Sequence, residues 1–407
     1  MQKRFTPDEG GVFPEWEEVT LGDIAEFSRG KGLTKKDVFK KGKRKCLLYG
    51  QLQVRYGTVI KNVTGMTDVE LKNPVLSKSG DVLISGTISA GLAKASCIKE
   101  DGVIIGGDIN ILRPKEGIDG EFLARAINAN TKKFKRFLEG SVILHLKNEN
   151  IKEVSIRIPK SIEEQRKIAA ALASYDEMIA VKTAKLETWQ ECKKRMVKEI
   201  FGRTKRFRDD DGNEFTEWEE KTLGNVSTVK RGKGYAKKDL TDKGTPIILY
   251  GRLYTKYETK IENVDTFADV QKNSIVSIGG EVIIPTSGEN SEDIARAAAV
   301  EQQGVLIGGD LCVIMPNKDM FDSTFLAYAI TYSKSHKDLV KKANGEIIAH
   351  LRVEDIKNLS VSLPCTEEQQ KIGSFLAEID KEIEIQKEFI KTYAEGKKRM
   401  MMELIEG

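Results

Sequence analysis

The chemistry most legible in this chain is that of cations presented on glycine-rich turns. Arg29-Gly30-Lys31-Gly32 is followed by Lys35-Lys36, and Arg231-Gly232-Lys233-Gly234 by Lys237-Lys238. Glycine lets backbone N–H groups approach a phosphate, while lysine and arginine neutralise it and release its counterions. A solvated turn with scattered charge has the same composition, but recurrence of the pattern favours nucleic acid. Reading bases needs other groups: forked or hydroxyl donors and acceptors that fit a groove, arginine for guanine and asparagine or glutamine for adenine. Gln51, Gln53 and Arg55 follow Tyr49-Gly50, and Arg252, Tyr254 and Lys256 follow Tyr250-Gly251. A second candidate set is Ser85, Thr87 and Ser89, with Thr286, Ser287, Asn290 and Arg296 further on. Any one polar loop residue is more often simply solvated.

Catalytic constellations are missing from the sequence. It contains neither a G-x-x-x-x-G-K-[ST] phosphate loop nor a G-x-S-x-G nucleophile elbow. Asn73-Pro74 runs on into Val75-Leu76, which does not make the Asn-Pro-Pro-aromatic clamp of an adenine methyltransferase. The histidines His145, His336 and His350 are too dispersed for a metal motif. His145 and His350 both precede leucine, which suits a structural or DNA-contacting role better than a triad. Asp209-Asp210-Asp211 reads as a solvated linker. The expectation is a chain with no catalytic residue, no metal and no cofactor of its own.

The elements that must position these groups begin with composition. The 407 residues suffice for two or three domains, each with its own core. A hydrophobic content of 40% against 31% charged describes a soluble globular protein, and a net charge of +4 permits nucleic acid without demanding it. Apolar runs such as Val103-Ile104-Ile105 are too short to span a bilayer, and the segment from Met1 to Glu9 lacks the apolar core of a secretory signal. Cys46, Cys97, Cys192, Cys312 and Cys365 are scattered and odd in number, which predicts reduced thiols and a cytoplasmic location.

Self-similarity then fixes the organisation. Phe13-Pro14-Glu15-Trp16-Glu17-Glu18 returns as Phe215-Thr216-Glu217-Trp218-Glu219-Glu220, and Leu48-Tyr49-Gly50 as Leu249-Tyr250-Gly251. Ile105-Gly106-Gly107-Asp108 returns as Ile307-Gly308-Gly309-Asp310, His145-Leu146 as His350-Leu351, and Glu164-Gln165 as Glu368-Gln369. Even Lys3-Arg4-Phe5 has a counterpart in Lys205-Arg206-Phe207. So long a period implies two tandem domains rather than a solenoid.

Each half divides into a head, 1–158 or 203–363, and a helical region, 159–202 or 364–407. Short β-branched runs bounded by Gly, Asn and Pro predict strands, and Glu121 to Leu138 predicts a helix, so the fold class is α+β. In the helical regions Ile168, Leu172, Ile179 and Leu186, and then Ile372, Leu376, Ile383 and Ile390, form a heptad-like seam. Lys182, Lys193, Gln386 and Lys397 interrupt it. Ser161-x-x-Glu164 and Thr366-x-x-Gln369 predict capping boxes at the helix starts. A helix from Ser161 to Ile200 would run about 60 Å at about 1.5 Å per residue. Packing on its own head is the plainer reading of the stripe. Its length and duplication favour pairing with the matching helix as an antiparallel coiled coil, giving pseudo-two-fold symmetry.

These residues resemble those of type I restriction–modification specificity subunits. The resemblance lies in Pro159 with Glu164-Gln165, Pro364 with Glu368-Gln369, the Glu-Trp-Glu and Leu-Gly openings at Glu15 to Gly22 and Glu217 to Gly224, and Gly80-Asp81-Val82-Leu83-Ile84. It covers nearly the whole chain in the family's order. It implies two target-recognition domains, each reading one half of a bipartite double-stranded DNA site, with the helices as spacer and docking surface for two modification subunits. Those partners would carry S-adenosylmethionine and methylate adenine, and restriction subunits using ATP and Mg would translocate and cleave DNA. Ser85-Gly86-Thr87-Ile88-Ser89-Ala90-Gly91 differs from Pro285-Thr286-Ser287-Gly288-Glu289-Asn290-Ser291, so the two half-sites should differ in sequence. The competing expectation is a coiled-coil scaffold that joins two partner proteins without reading DNA.

Overall fold

Short runs of β-branched residues between glycine-rich turns build the same sheet twice in this computed structural model, which describes residues 4–88, 94–137, 144–317, 319–343 and 349–406. The chain forms two compact units, Met1–Lys182 with Phe389–Gly407, and Thr183–Glu388. In the first, five strands lie in the order Ala25–Arg29, Ile109–Pro114, Val82–Ser85, Ala95–Ile98, Val59–Ile60. Neighbours are antiparallel except the last pair, which is parallel. The second unit repeats order and direction with Ser227–Arg231, Leu311–Pro316, Glu281–Pro285, Ala298–Val300 and Lys260–Ile261.

The central strands are covered on both faces, which is why they read as continuous apolar runs. Val82 and Ile84 enter one core cluster and Leu83 another. Val282 and Ile284 are divided from Ile283 in the same way, as the two-residue period of a strand requires. One face is closed by the helix Gly120–Ala129, or Ser323–Tyr332 in the second unit. Asp119 accepts from the Phe122 amide at 2.9 Å and Asp322 from the Phe325 amide at 2.7 Å, capping each helix start. The single helix expected over Glu121 to Leu138 breaks at Asn130. That residue's backbone N–H donates to the Ala126 and Ile127 carbonyls and its side chain again to Ala126, at 2.9 Å, the local competition that ends helices at asparagine. Short helical turns at Thr131–Phe134 and Lys135–Phe137 follow, and Leu138 lies outside the described residues.

The long helices are Ile162–Phe201 and Thr366–Met401, the latter continued by a π-helical turn, Met402–Glu406. The side chains expected to cap them turn elsewhere. Glu164 is fully buried and accepts from Arg4 (3.0 and 2.8 Å) and from the Trp16 indole (3.3 Å). Glu368 does the same with Arg206 (3.0 and 2.9 Å) and Trp218 (3.2 Å). Gln165 accepts from the Asp119 amide and donates to the carbonyls of Gly117 and Pro159; Gln369 does likewise with Asp322, Met320 and Pro364. The tryptophan, arginine and Glu-Gln motifs are therefore one joint between head and helix, made twice. Capping lost because a buried carboxylate meeting a guanidinium and an indole N–H is the stronger arrangement.

Within the first unit, Ile168 and Leu172 share a core with Leu404 and Ile405, and Ile179 is half-buried. Tyr175 meets Tyr393 edge-on at 6.3 Å, and Lys397 pairs with Asp176 at 2.5 Å. Within the second, Ile372, Leu376 and Ile383 share a core with Met196 and Ile200, Leu186 packs against it, and Lys193 pairs with Asp380 at 2.6 Å. Ile390, in the first unit, is half-buried. In both units the paired residue numbers run in opposite directions, so the helix segments are antiparallel. Two interruptions of the seam, Lys193 and Lys397, serve as ion-pair partners. Burial works against the Lys193 charge, yet Tyr332 and Asp380 hold it above the usual lysine range.

Candidate nucleic-acid interface

Three motifs far apart in sequence meet at one place in each head. Gly30 donates its N–H to the Ile109 carbonyl (2.9 Å), Gly106 to Leu47 (2.9 Å) and Gly107 to Gly32 (3.2 Å). The second head repeats this with Gly232 to Leu311, Gly308 to Ile248 and Gly309 to Gly234. A Cβ at Gly30 would stand 2.0 Å from the Gly106 carbonyl oxygen, and one at Gly232 would stand 1.9 Å from that of Gly308. These glycines are thus required by backbone against backbone. Gly32 and Gly234, at φ +66° and +59°, turn the chain so that Lys31, Lys35 and Lys36, or Lys233, Lys237 and Lys238, are exposed.

Arg29 and Arg231 end the strands at this place. Arg29 donates to Asp108 at 2.5 Å, and Asp108 also accepts from the Thr87 hydroxyl at 2.8 Å. Burial acts to raise Asp108, but hydrogen bonds from Thr87 and Arg29, and the Arg29 charge, hold the carboxyl below its usual range. Arg231 lies 3.3 Å from Asp310 and donates to the Gly309 carbonyl, also at 3.3 Å. Neither aspartate is among the sequence candidates; the repeated Ile-Gly-Gly-Asp motif is the signal that points to them.

The remaining candidates divide by environment. Ser85, Arg252 and Thr286 are buried, at 2%, 8% and 4% exposure. Ser85 donates to the Thr87 carbonyl (2.6 Å), and Arg252 is held by Glu258 (2.7 Å) and Asp265 (2.5 Å). Gln51 accepts from the Leu48 amide (3.0 Å) and Gln53 donates to the Thr87 carbonyl (2.7 Å). Tyr254 donates to the Ser287 carbonyl (2.8 Å), and burial pushes its phenol well above the usual range. The Ser287 hydroxyl meets His350 Nδ1 at 3.2 Å. Asn290 caps the short helix Ser291–Ile294, and Arg296 pairs with Asp293 and lies over the Tyr254 and Tyr257 rings at 5.9 and 5.3 Å. Arg55 and Lys256 are exposed, Arg55 bonded to Thr64 and Lys256 to Asp265. Ser89 lies outside the described residues. Tyr49 and Tyr250, about two-fifths exposed in equivalent positions, stand at the same rim.

Little else suggests chemistry. Among the described residues no group of His, Cys, Asp and Glu is arranged to hold a metal ion, and no helix is long and apolar enough to cross a membrane. Burial pushes the Cys46 thiol up to about 11 and those of Cys97 and Cys312 up to about 12. A cavity of about 490 Å³ in the second unit is lined by Lys193, Tyr257, Tyr328 and Asp380 among others, with Asp380 already engaged by both Lys193 and Tyr328.

Comparison with known proteins adds to the geometry. Residues 14–188 and 216–392 match the family described as type I restriction modification DNA specificity domain. A chain assigned as the specificity subunit of type I restriction enzyme MjaX of Methanocaldococcus jannaschii is 26% identical over 438 residues, covering 100% of this chain and 96% of the relative. The MjaVIII specificity subunit of the same organism is 22% identical over 427 residues with the same coverage. The crystal structure of a type I restriction-modification system S subunit from M. genitalium superposes with a TM-score of 0.68 at 16% identity, covering 96% of each chain. That last likeness concerns the fold.

Proposed function

The chain belongs to the type I restriction–modification DNA specificity family, and from that membership we propose that its two heads read the two parts of a bipartite, asymmetric duplex site. It is a non-catalytic specificity subunit that recognises DNA sequence and assembles with other subunits of such a system. The observation that carries the finer reading is the convergence, in both heads, of exposed lysines and a strand-end arginine on one rim whose loop residues differ. Identical scaffolds with unlike loops suit two unlike half-sites. Lys31, Lys35, Lys36, Lys233, Lys237 and Lys238 would contact phosphates, and Arg29, Thr87, Arg55, Arg231, Ser287 and Lys256 would lie close to the groove. Ser85, Arg252 and Thr286 would shape the rim from inside, and Gln51, Asn290 and Arg296 would brace its loops. The heads would be 1–158 and 203–363.

The partners would be two modification subunits, which supply S-adenosylmethionine and methylate adenine, and restriction subunits that use ATP and Mg. The helical segments would be their docking surface and the spacer between half-sites. Mapping methylated adenines in host DNA with and without this chain tests the reading. A bipartite motif should vanish with the chain; unchanged methylation overturns it.

A further inference from the structure

We propose that Arg29 and Arg231 each read a guanine, with Asp108 and Asp310 as positioning residues, and that the first head holds its arginine more rigidly than the second. The inference rests on the heads being duplex readers, and assigns which side chain does the reading. An arginine that merely neutralises phosphate gains nothing from a carboxylate beside it, because the pair is close to neutral. A base-reading arginine gains much: Asp108 engages one Nη2 donor at 2.5 Å, and a guanidinium has five N–H donors in a planar fork. The rest of the fork is then aimed from a fixed support, as recognition of guanine O6 and N7 requires. Both arginines end the same strand of their sheets and are half or more exposed, at 50% and 61%. Both stand beside the lysine-bearing turn.

The support itself differs between heads at two positions. The Thr87 hydroxyl fixes Asp108 at 2.8 Å, and the Gly86 amide donates to the Asp108 carbonyl at 2.7 Å. A Cβ at Gly86 would stand 3.2 Å from that carbonyl oxygen and 3.5 Å from Arg29 Nη2. The second head has that carbon: Thr286 occupies the corresponding place, its amide donating to the Asp310 carbonyl at 2.9 Å. There the Arg–Asp separation is 3.3 Å, and the serine matching Thr87 is engaged with His350 instead.

The test uses the full chain in complex with its modification subunits, scored on a library of duplex sites and by methylation mapping. Arg29→Lys keeps the charge and loses the fork, so it should lower discrimination at one G·C pair of one half-site by about 5- to 150-fold, equivalent to about 1–3 kcal/mol. The other half-site should be unaffected. Arg231→Lys should do the same, less steeply, in the other half-site. Asp108→Asn should relax the same base pair as Arg29→Lys, and Gly86→Thr should bring the first head's discrimination down towards that of the second. Uniform weakening across all sequences, with the salt slope reduced by about one when Arg29→Ala removes the charge, makes Arg29 a phosphate contact and overturns the proposal. Unchanged discrimination also overturns it. If the unaltered complex shows no sequence preference at all, the duplex-reading function fails instead, a distinct result.

Discussion

The two heads are nearest to identical where they face their own helices and least alike where strands run out into loops. The joint of arginine, tryptophan and Glu-Gln is reproduced partner for partner, with Glu164 and Glu368 both fully buried. At the rim, equivalent positions carry different chemistry. Gln53 and Tyr254 both donate to the carbonyl of the next loop, that of Thr87 or Ser287. Gln51, a neutral local cap, corresponds to Arg252, a buried cation between two carboxylates. A duplicated scaffold thus tolerates exchange of loop-supporting residues, by satisfying the same loop carbonyl at Gln53 and Tyr254 and by a new set of partners at Gln51 and Arg252.

That comparison can be broken or sharpened by substitution. Glu164→Ala and Glu368→Ala should have the largest effect, about 3 kcal/mol each, since an arginine and an indole N–H lose their shared buried acceptor. Denaturant unfolding should give equal losses; a large inequality would mean the joints are not equivalent. Next, Gly30→Ala and Gly232→Ala should each cost about 1–3 kcal/mol, because the added carbon must push two backbones apart. The same measurement checks this, and a neutral substitution would show that one turn can move. Tyr254→Phe should cost about 1 kcal/mol, the usual worth of one hydrogen bond, with no change at Thr87. In DNA binding, Lys31→Glu or Lys233→Glu should weaken all sequences alike and lower the salt slope by about one for each phosphate no longer neutralised. A change confined to one base pair would count against a phosphate role.

The smallest expected difference is in acid. Hydrogen bonds from Lys256 and Arg252 hold Asp265 down at about 2. A depressed carboxylate contributes stability that is complete above the ordinary value near 3.8 and is lost as pH falls through about 2. The second head should therefore loosen there, in a region where the first has neutral Gln51. Following the NMR signals around Arg252 and Gln51 between pH 4 and 2 checks this, and simultaneous change at both would refute it.

The duplication, the α+β class and the long helices are legible in the sequence because they are written in order and period along the chain. The meeting of Arg29-Gly30, Leu48-Tyr49 and Gly106-Gly107-Asp108 is not, since no local pattern reveals which turns share a neighbour. Nor does polarity reveal exposure. Arg252, Ser85 and Thr286 are candidates for their chemistry, and the fold buries all three. Asp108 and Asp310 are hard to single out because an acid near a lysine-bearing turn looks wrong until its arginine is seen beside it. The capping boxes show the same limit: Glu164 has the spacing for one bond and the surroundings for a stronger one.

The division of the chain into units also bears on synthesis. Residues 183–388 form one uninterrupted unit, whereas the other combines 1–182 with 389–407. A ribosome completes every part of the uninterrupted unit before it has made Leu404 and Ile405, which lie in the core with Ile168 and Leu172. The head that emerges first is thus the last to be finished. While the remainder is translated, the apolar face around Leu172 must wait uncovered, which makes the first half of the nascent chain the more exposed to chaperones and to aggregation.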